Sequence, residues 1–469
     1  MNNANYTLAT DLKQLISTEQ AHHYRIVPLS VEENKVVFWT AATAAENTAS
    51  ELQIVLGKKV QLFETSEEEL QRYLRVNYRQ SNTTSKTQLR YSEDFLVKVL
   101  QEAQEIGSSD VHFEIFKNNG RVRFRIDGKL IERYLIELKE YPILVNRIKI
   151  MAQLDISEKR LPQDGRIHRL TADGEFDIRV SVLPTLHGEK MVLRILTKEN
   201  NSLQLDHLGF GKKELKRYRE GLKKPQGMVL ISGPTGSGKT TTLYATLKQL
   251  NKLQTNILTI EDPIEYTLEG INQVALKERI GLDFPNALRT FLRQDPDIIM
   301  VGEIRDPATA NMAVRAALTG HLVLSTIHTN SAWATISRLI DMDIPPFLIA
   351  NTLNLSVAQR LIRQLCIHCK QEVLVTKDVF PENFSIPKEL RMHFKAKGCS
   401  HCFYTGYHGR KALYEVLPIT EELCEYIKKS ESKIEPYLTA NHIKSLKSNA
   451  VELLKNGDTS VEEIYALLT

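Results

Sequence analysis

An apolar run, Met228-Val229-Leu230-Ile231, leads into Gly233, Pro234, Thr235, Gly236, Ser237, Gly238, Lys239, Thr240 and Thr241. From Gly233 the segment fits G-x-x-x-x-G-K-[ST], the pattern whose backbone N–H groups cradle a polyphosphate. Its glycines allow backbone to face phosphates without Cβ interference, and a helix opening near Thr240 aims its positive end at them. Lys239 then reaches the β- and γ-phosphates, and the Thr240 hydroxyl ligates Mg²⁺. Leu243, Leu247 and Leu250 continue with helical spacing, which argues against a chance glycine-rich turn. The chemistry implied is nucleoside triphosphate binding.

Three further segments could complete such a site. In the first, a strand ending at Ile260 breaks into a proline turn that carries Glu261, Asp262 and Glu265. In the second, the apolar run Ile298-Ile299-Met300-Val301 delivers Glu303 to the carboxyl end of a strand, where parallel α/β sheets bind ligands. In the third, Leu322-Val323-Leu324 leads to Thr326 and His328. Hydrolysis needs a carboxylate to orient or deprotonate water, ligands for Mg²⁺, and positive charge for the transition state. Carboxylates at two strand ends beside a phosphate loop supply the first two. Positive charge beyond Lys239 must come from arginine. Arg179 and Arg194 lie in strand-like patterns, and Arg289 and Arg293 are four apart on one helical face. Each competes with an ordinary exposed arginine. The alternating Arg121, Arg123 and Arg125 read as a solvated or interface face.

Cys366-x-x-Cys369 and Cys399-x-x-Cys402 form two C-x₂-C pairs. Each two-residue gap lets both thiolates face one tetrahedral cation, and four soft ligands favour Zn²⁺. With no open coordination position the zinc is expected to be structural. A disulfide is the competing reading, and a cytosolic compartment argues against it. His368 and His401, inside the pairs, are alternative ligands. Cys424 reads as an ordinary buried thiol.

These segments need several domains to position them, and 469 residues exceed one core. Residues 1–80 read as a small α/β unit, with a helix opening at 11–16, a strand at 35–39 and a second helix from 66. A Ser/Thr-rich linker, 81–89, separates it from a mixed α/β lobe at 90–199. That lobe opens with a helix and continues in strands that alternate apolar and polar residues. A hinge is expected at 200–205. Alternating strands and helices then imply a parallel sheet over 206–360, followed by the cysteine segment at 361–410 and a helical region at 411–469.

Composition is that of an ordinary soluble globular protein, 42% apolar and 25% charged. A net charge of +4 on this length, with no basic block, argues against nucleic acid as a partner. No window approaches the ~18 apolar residues of a membrane span, and the N-terminus lacks a signal-peptide core. The chain is expected to be cytosolic, with no direct membrane insertion.

Four ordered motifs carry a resemblance. They are Gly-Pro-Thr-Gly-Ser-Gly-Lys-Thr-Thr, Thr-Ile-Glu-Asp-Pro-Ile-Glu, Gln-Asp-Pro-Asp-Ile-Ile-Met-Val-Gly-Glu-Ile-Arg-Asp, and Thr-Gly-His-Leu-Val-Leu-Ser-Thr-Ile-His-Thr. They resemble the phosphate loop, aspartate box, atypical Walker B and histidine box of the ATPases that power type II secretion and type IV pilus assembly. The resemblance covers roughly 90–420. It implies a RecA-like ATPase core preceded by a PAS-like α/β lobe, with ATP, Mg²⁺ and Zn²⁺ as cofactors. By the same resemblance Glu265 is the general base, Glu303 the Walker B carboxylate near Mg²⁺, and His328 couples nucleotide state to the neighbouring segment. Arg179 and Arg194 reach the phosphates when their lobe closes, and Arg289 and Arg293 lie near the phosphates and the subunit interface. The resemblance also implies a homo-hexamer, peripheral at the inner membrane, that works on a platform protein. The amino-terminal domain meets a membrane-associated docking protein. A cysteine module and a domain ahead of residue 87 favour pilus assembly or export over retraction. The first 80 residues contain no Arg-Leu-Gly motif of the type that binds cyclic di-GMP in some relatives.

Overall fold

The computed structural model describes residues 95–171, 174–196, 204–431 and 433–469, and within the first 78 residues three strands, a helix and scattered positions between them. The linker expected at 81–89, half of the helix expected at 11–16 and hinge residues 200–203 lie outside the described residues.

In the first unit, β1 (Ile26–Glu32) pairs antiparallel with β2 (Lys35–Ala41), which pairs in parallel with β3 (Lys59–Thr65). Helix α1 (Glu67–Asn77) is capped by Ser66, whose side chain accepts the Glu69 N–H at 3.2 Å. Leu70 and Leu74 on α1 share one small core with Ile26 and Phe38.

The second unit opens with α2 (Phe95–Glu105). It continues through β4 (Asp110–Ile115), β5 (Gly120–Ile126), β6 (Lys129–Ile136), α3 (Tyr141–Met151), β7 (Gln163–Thr171), β8 (Gly174–Thr185) and β9 (Gly188–Leu196). The strands form one antiparallel sheet in the order β6-β5-β4-β9-β8-β7. Val99 and Leu100 of α2 and Leu144 and Ile148 of α3 share its core with Phe113, Phe124, Ile178 and Leu193. The alternate residues carry charge. Arg121 and Arg123 both bond Glu114, at 2.8 and 2.7 Å, while Arg125 lies 3.3 Å from Asp110. The arginine trio is thus largely spent on carboxylates of the neighbouring strand.

The third unit contains α4 (Lys212–Leu222), β10 (Gly227–Ser232), α5 (Lys239–Leu250), β11 (Ile257–Glu261), β12 (Asn272–Ala275), α6 (Phe284–Phe291) and β13 (Ile298–Val301). Next come α7 (Pro307–Leu318), β14 (Leu322–Ile327), α8 (Ala334–Asp341), α9 (Pro346–Thr352) and β15 (Leu353–Leu365). After the short hairpin β16 (Gln371–Leu374) and β17 (Met392–Lys395), β18 (Tyr407–Pro418) returns to the main sheet. That sheet has the order β12-β11-β13-β14-β10-β15-β18, parallel except for β18. Every residue of β10, β13 and β14 is buried, as their largely apolar character suits strands covered on both faces.

The expected division ended the core at 360 and began a helical region at 411. Instead β15 runs through 360, and β18, its antiparallel partner, spans 411. The cysteine segment is therefore an insertion between two adjacent core strands. The last helices, α10 (Glu421–Lys428), α11 (Glu435–Ala440), α12 (Leu446–Lys455) and α13 (Val461–Leu468), pack into the core through Leu423, Ile427, Leu453 and Ile464. Glu415 of β18 fastens this junction, accepting the Ala332 N–H at 2.8 Å and the Leu446 N–H at 3.1 Å. Among the described residues no helix is long and apolar enough to cross a membrane.

Candidate nucleotide site

The loop between β10 and α5 takes the shape its glycines permit. Gly238 has φ 86°, and a Cβ there would stand 2.9 Å from Gln359 Nε2. A Cβ on Gly233 would meet Gln359 O at 2.5 Å. Backbone thus approaches backbone too closely for a side chain at Gly233, while at Gly238 the positive φ and the Gln359 side chain favour glycine. No side chain caps α5, so its first N–H groups are available to an anion. Pro234, Thr235, Gly236, Thr240 and Thr241 are exposed, whereas Ser237 and Lys239 are buried. The Lys239 ammonium donates to Gly233 O at 2.8 Å and Pro234 O at 3.1 Å. Burial pulls its pKa down, and the charge of Glu303 opposes that shift. Ser237 Oγ is buried with no hydrogen-bond partner among the described residues, which suits a loop built to receive phosphate oxygens.

Glu303 extends from the carboxyl end of β13 toward this lysine. Its carboxylate lies 2.6 Å from Arg305 Nη2 and 3.5 Å from His328 Nε2. Hydrogen bonds fix the Glu303 and His328 segments together: Ile304 N–H donates to Thr326 O and Thr326 Oγ1 to Gly302 O, both at 2.8 Å. Burial lowers the His328 pKa, and the charge of Lys239 lowers it further. Lys239, Glu303 and His328 thus converge at one end of the sheet.

The proline turn separates its three carboxylates. Glu261 is buried and accepts from the Tyr244 hydroxyl, from Thr259 Oγ1 at 2.6 Å and from Gln273 Nε2 at 3.1 Å. That network braces the turn from beneath and directs Glu261 away from the loop. Asp262 is exposed. Glu265 faces the second unit, where Arg179 Nη1 lies 3.1 Å from its Oε2.

The other expected arginines are elsewhere. Arg194 Nε donates to Asp110 Oδ1 at 3.0 Å inside its own sheet. Arg289 bonds Asn286 at 2.6 Å, and Arg293 bonds Arg289 O at 3.0 Å; both are exposed on the outer surface of α6 and the turn after it. Among the described residues neither has a carboxylate partner. Four residues were not singled out from sequence. Tyr244 braces Glu261 and accepts the Glu265 N–H at 3.3 Å. Arg305 covers Glu303 and was visible only as its near neighbour in the same motif. Gln359 and Arg360 reach the loop solely through the pairing of β15 with β10, for which the sequence carries no local signal.

In the inserted module the sulfurs of Cys366, Cys369, Cys399 and Cys402 all lie within 4.8 Å of one another. Cys366 and Cys399 are 3.8 Å apart, Cys369 and Cys402 3.7 Å, and Cys399 and Cys402 3.8 Å. A disulfide needs about 2.05 Å, whereas a tetrahedron with metal–sulfur bonds of about 2.3 Å has edges near 3.8 Å. The donor set fits one tetrahedral cation. His368 and His401 stack on each other with ring centroids 4.3 Å apart and are not members of the four-sulfur cluster. Cys424 is half-buried, its thiol donating to Ala350 O at 3.2 Å.

The family model described as "Type II/IV secretion system protein" matches residues 85–466, and an MshEN domain model matches 2–84. The type IV pilus assembly ATPase PilB of Myxococcus xanthus is 48% identical over 376 residues, which cover 78% of this chain and 66% of the relative. The type II secretion system ATPase E of Vibrio cholerae is 44% identical over 368 residues, covering 78% and 73%. Thus the chain spans just under two thirds of the length of the pilus-assembly relative. Among solved structures, the pilus retraction motor PilT with bound ADP superposes with a TM-score of 0.53 at 26% identity, covering 78% of this chain and 95% of that one. The ATPase DotB of Legionella pneumophila gives 0.60 at 21%, covering 81% and 96%, and shares the fold.

Proposed function

The chain belongs to the type II/IV secretion system protein family, and from that premise we propose that it hydrolyses ATP to drive assembly of a type IV pilus-like fibre. The observation that carries the ATPase reading is the convergence of Lys239, Glu303 and His328 on an uncapped, glycine-shaped loop.

Backbone N–H groups from Gly236 to Thr240 hold the phosphates, and the Lys239 ammonium transfers from its loop carbonyls to the β- and γ-oxygens. The Thr240 hydroxyl, with Glu303 on the same side, would hold Mg²⁺, which would supply positive charge to the phosphates. Glu265 orients and deprotonates the attacking water. Arg179, already beside Glu265, adds positive charge where negative charge develops. Arg194 joins it on exchanging Asp110 for phosphate, and Arg289 and Arg293 serve the site from the surface where a neighbouring copy would sit. Glu261 positions the turn, and Asp262 stands at its exposed edge. The four thiolates would hold a structural Zn²⁺, which would brace the insertion between β15 and β18.

The working form is a homo-hexamer on the cytoplasmic face of the inner membrane, acting through a platform protein, with the amino-terminal unit on a docking partner. Phosphate release by the purified chain, set against Lys239→Ala, tests the enzyme; equal rates would sink the ATPase reading. The similar identity to a type II secretion ATPase keeps that machine as the second reading. A gene deletion separates them: bare cells with normal export support pilus assembly, and periplasmic retention of an exported enzyme supports type II secretion.

A further inference from the structure

Another cation stands beside the phosphate loop, on a strand that the family motifs do not include. β15 pairs with β10 so that Ala358 lies opposite Ser232, and Gln359 and Arg360 therefore run alongside the loop itself. Gln359 is buried, its Oε1 accepting from Thr242 Oγ1 at 2.9 Å and its main chain abutting Gly233. Arg360 Nη1 lies 3.3 Å from the point where a Cβ on Gly233 would stand. The same point is 2.6 Å from Ser237 Oγ, the buried hydroxyl that lacks a partner.

Among the described residues only main-chain and amide oxygens hold the guanidinium. Nη1 donates to Gln359 O at 3.0 Å, and Nη2 donates to Asn330 O at 3.1 Å, two residues beyond His328. Among the described residues no carboxylate forms an ion pair with Arg360; Glu415 acts on it only at a distance. Burial disfavours its charge, and that charge adds to the burial that already disfavours the Lys239 ammonium. Two partly buried cations side by side are costly unless an anion joins them. Lys239 rests on the carbonyls of Gly233 and Pro234, so the end of the loop that Arg360 borders is the one reached by the lysine of the β- and γ-phosphates.

We propose that Arg360 is a further nucleotide-binding residue, which contacts the terminal phosphate of ATP and ties it to the Asn330 segment beyond His328. The proposal rests on the ATP reading of the loop. It makes the core lobe distinguish triphosphate from diphosphate through its own strand, without the second unit closing. Gln359 is a positioning residue that keeps β15 against the loop.

The test is calorimetric titration of the full chain with adenylyl imidodiphosphate and, separately, ADP. Arg360→Gln is expected to weaken the triphosphate analogue about tenfold or more, as loss of a charge-assisted hydrogen bond does, and to leave ADP within about twofold. Arg360→Lys, which keeps the charge but not the fork, falls between. Equal weakening of both nucleotides, or of neither, would overturn the proposal, because a merely structural arginine has no reason to read the third phosphate. Thermal melting accompanies each variant. Should the glutamine variant melt early, the lysine variant decides by the same ratio. Lys239→Ala weakens both ligands if the loop is the site. A wild-type chain that binds neither nucleotide would remove the ATP reading and this proposal together.

Discussion

Arg179 Nη1 lies 3.1 Å from Glu265 Oε2, so that a strand of the antiparallel sheet touches the proline turn of the parallel one. The pair joins the second unit to the turn that follows β11.

Glu265→Gln is expected to cut phosphate release by about 100-fold or more while nucleotide affinity stays near that of wild type. Arg179→Ala should cut it at least about tenfold. Because the two side chains touch, the double variant should lose less than the product of the single losses. Simple multiplication of the effects would show that the contact plays no part in turnover.

Arg194 presents a sharper contrast, since its recorded partner is Asp110 and not a group of the loop. Arg194→Ala should spare the fold and reduce turnover about tenfold or more, the arginine leaving Asp110 when the lobe closes. Normal turnover by a folded variant would leave Arg194 with only its ion pair.

The cysteine cluster should hold about one zinc per chain in a metal analysis of the protein as purified. Chelation, or Cys399→Ser, should lower the melting temperature by several degrees, because a bound structural metal contributes directly to folding free energy. Reductant alone should change nothing. A loss of stability in reductant, with no zinc found, would instead favour disulfides.

Acid sensitivity should centre on Glu114. Burial alone would raise its pKa, but hydrogen bonds from Arg123 and Arg121 outweigh burial and hold it at about 2. A folded pKa below the ordinary 4.5 means that its contribution is complete above about pH 4.5 and is lost as pH falls toward 2. Glu114→Gln should therefore flatten the dependence of melting temperature on pH within that window. An unchanged slope would assign the acid loss to other carboxylates.

Much of this molecule is local chemistry, and local chemistry is legible in a linear chain. The loop can be read because glycine spacing, the preceding apolar strand and the following helix lie within about twenty residues of one another. Largely apolar strands announced a doubly covered sheet for the same reason, since burial on both faces leaves β13 with no polar residue and confines those of β10 and β14 to Ser232, Ser325 and Thr326 near their carboxyl ends. The two C-x₂-C pairs likewise told which thiols could meet, their short gaps restricting where the sulfurs point.

What the tertiary structure decided depends on register and facing between distant strands. Glu261, Asp262 and Glu265 look equivalent in sequence, yet strand alternation and the Tyr244 hydroxyl send one inward, leave one in solvent and turn one toward Arg179. Arg179 and Arg194 lie opposite each other on adjacent strands, but only the first reaches the core lobe. The cysteine segment became an insertion because β18 finds its hydrogen-bond partner in β15, a pairing that no nearby residue encodes. Arg360 came to the phosphate loop by the same kind of event. One strand register, Ala358 opposite Ser232, sets a cation beside a glycine more than a hundred residues away. Hydrogen bonding between strands is indifferent to their separation along the chain, and so that neighbour appears only once the sheet has formed.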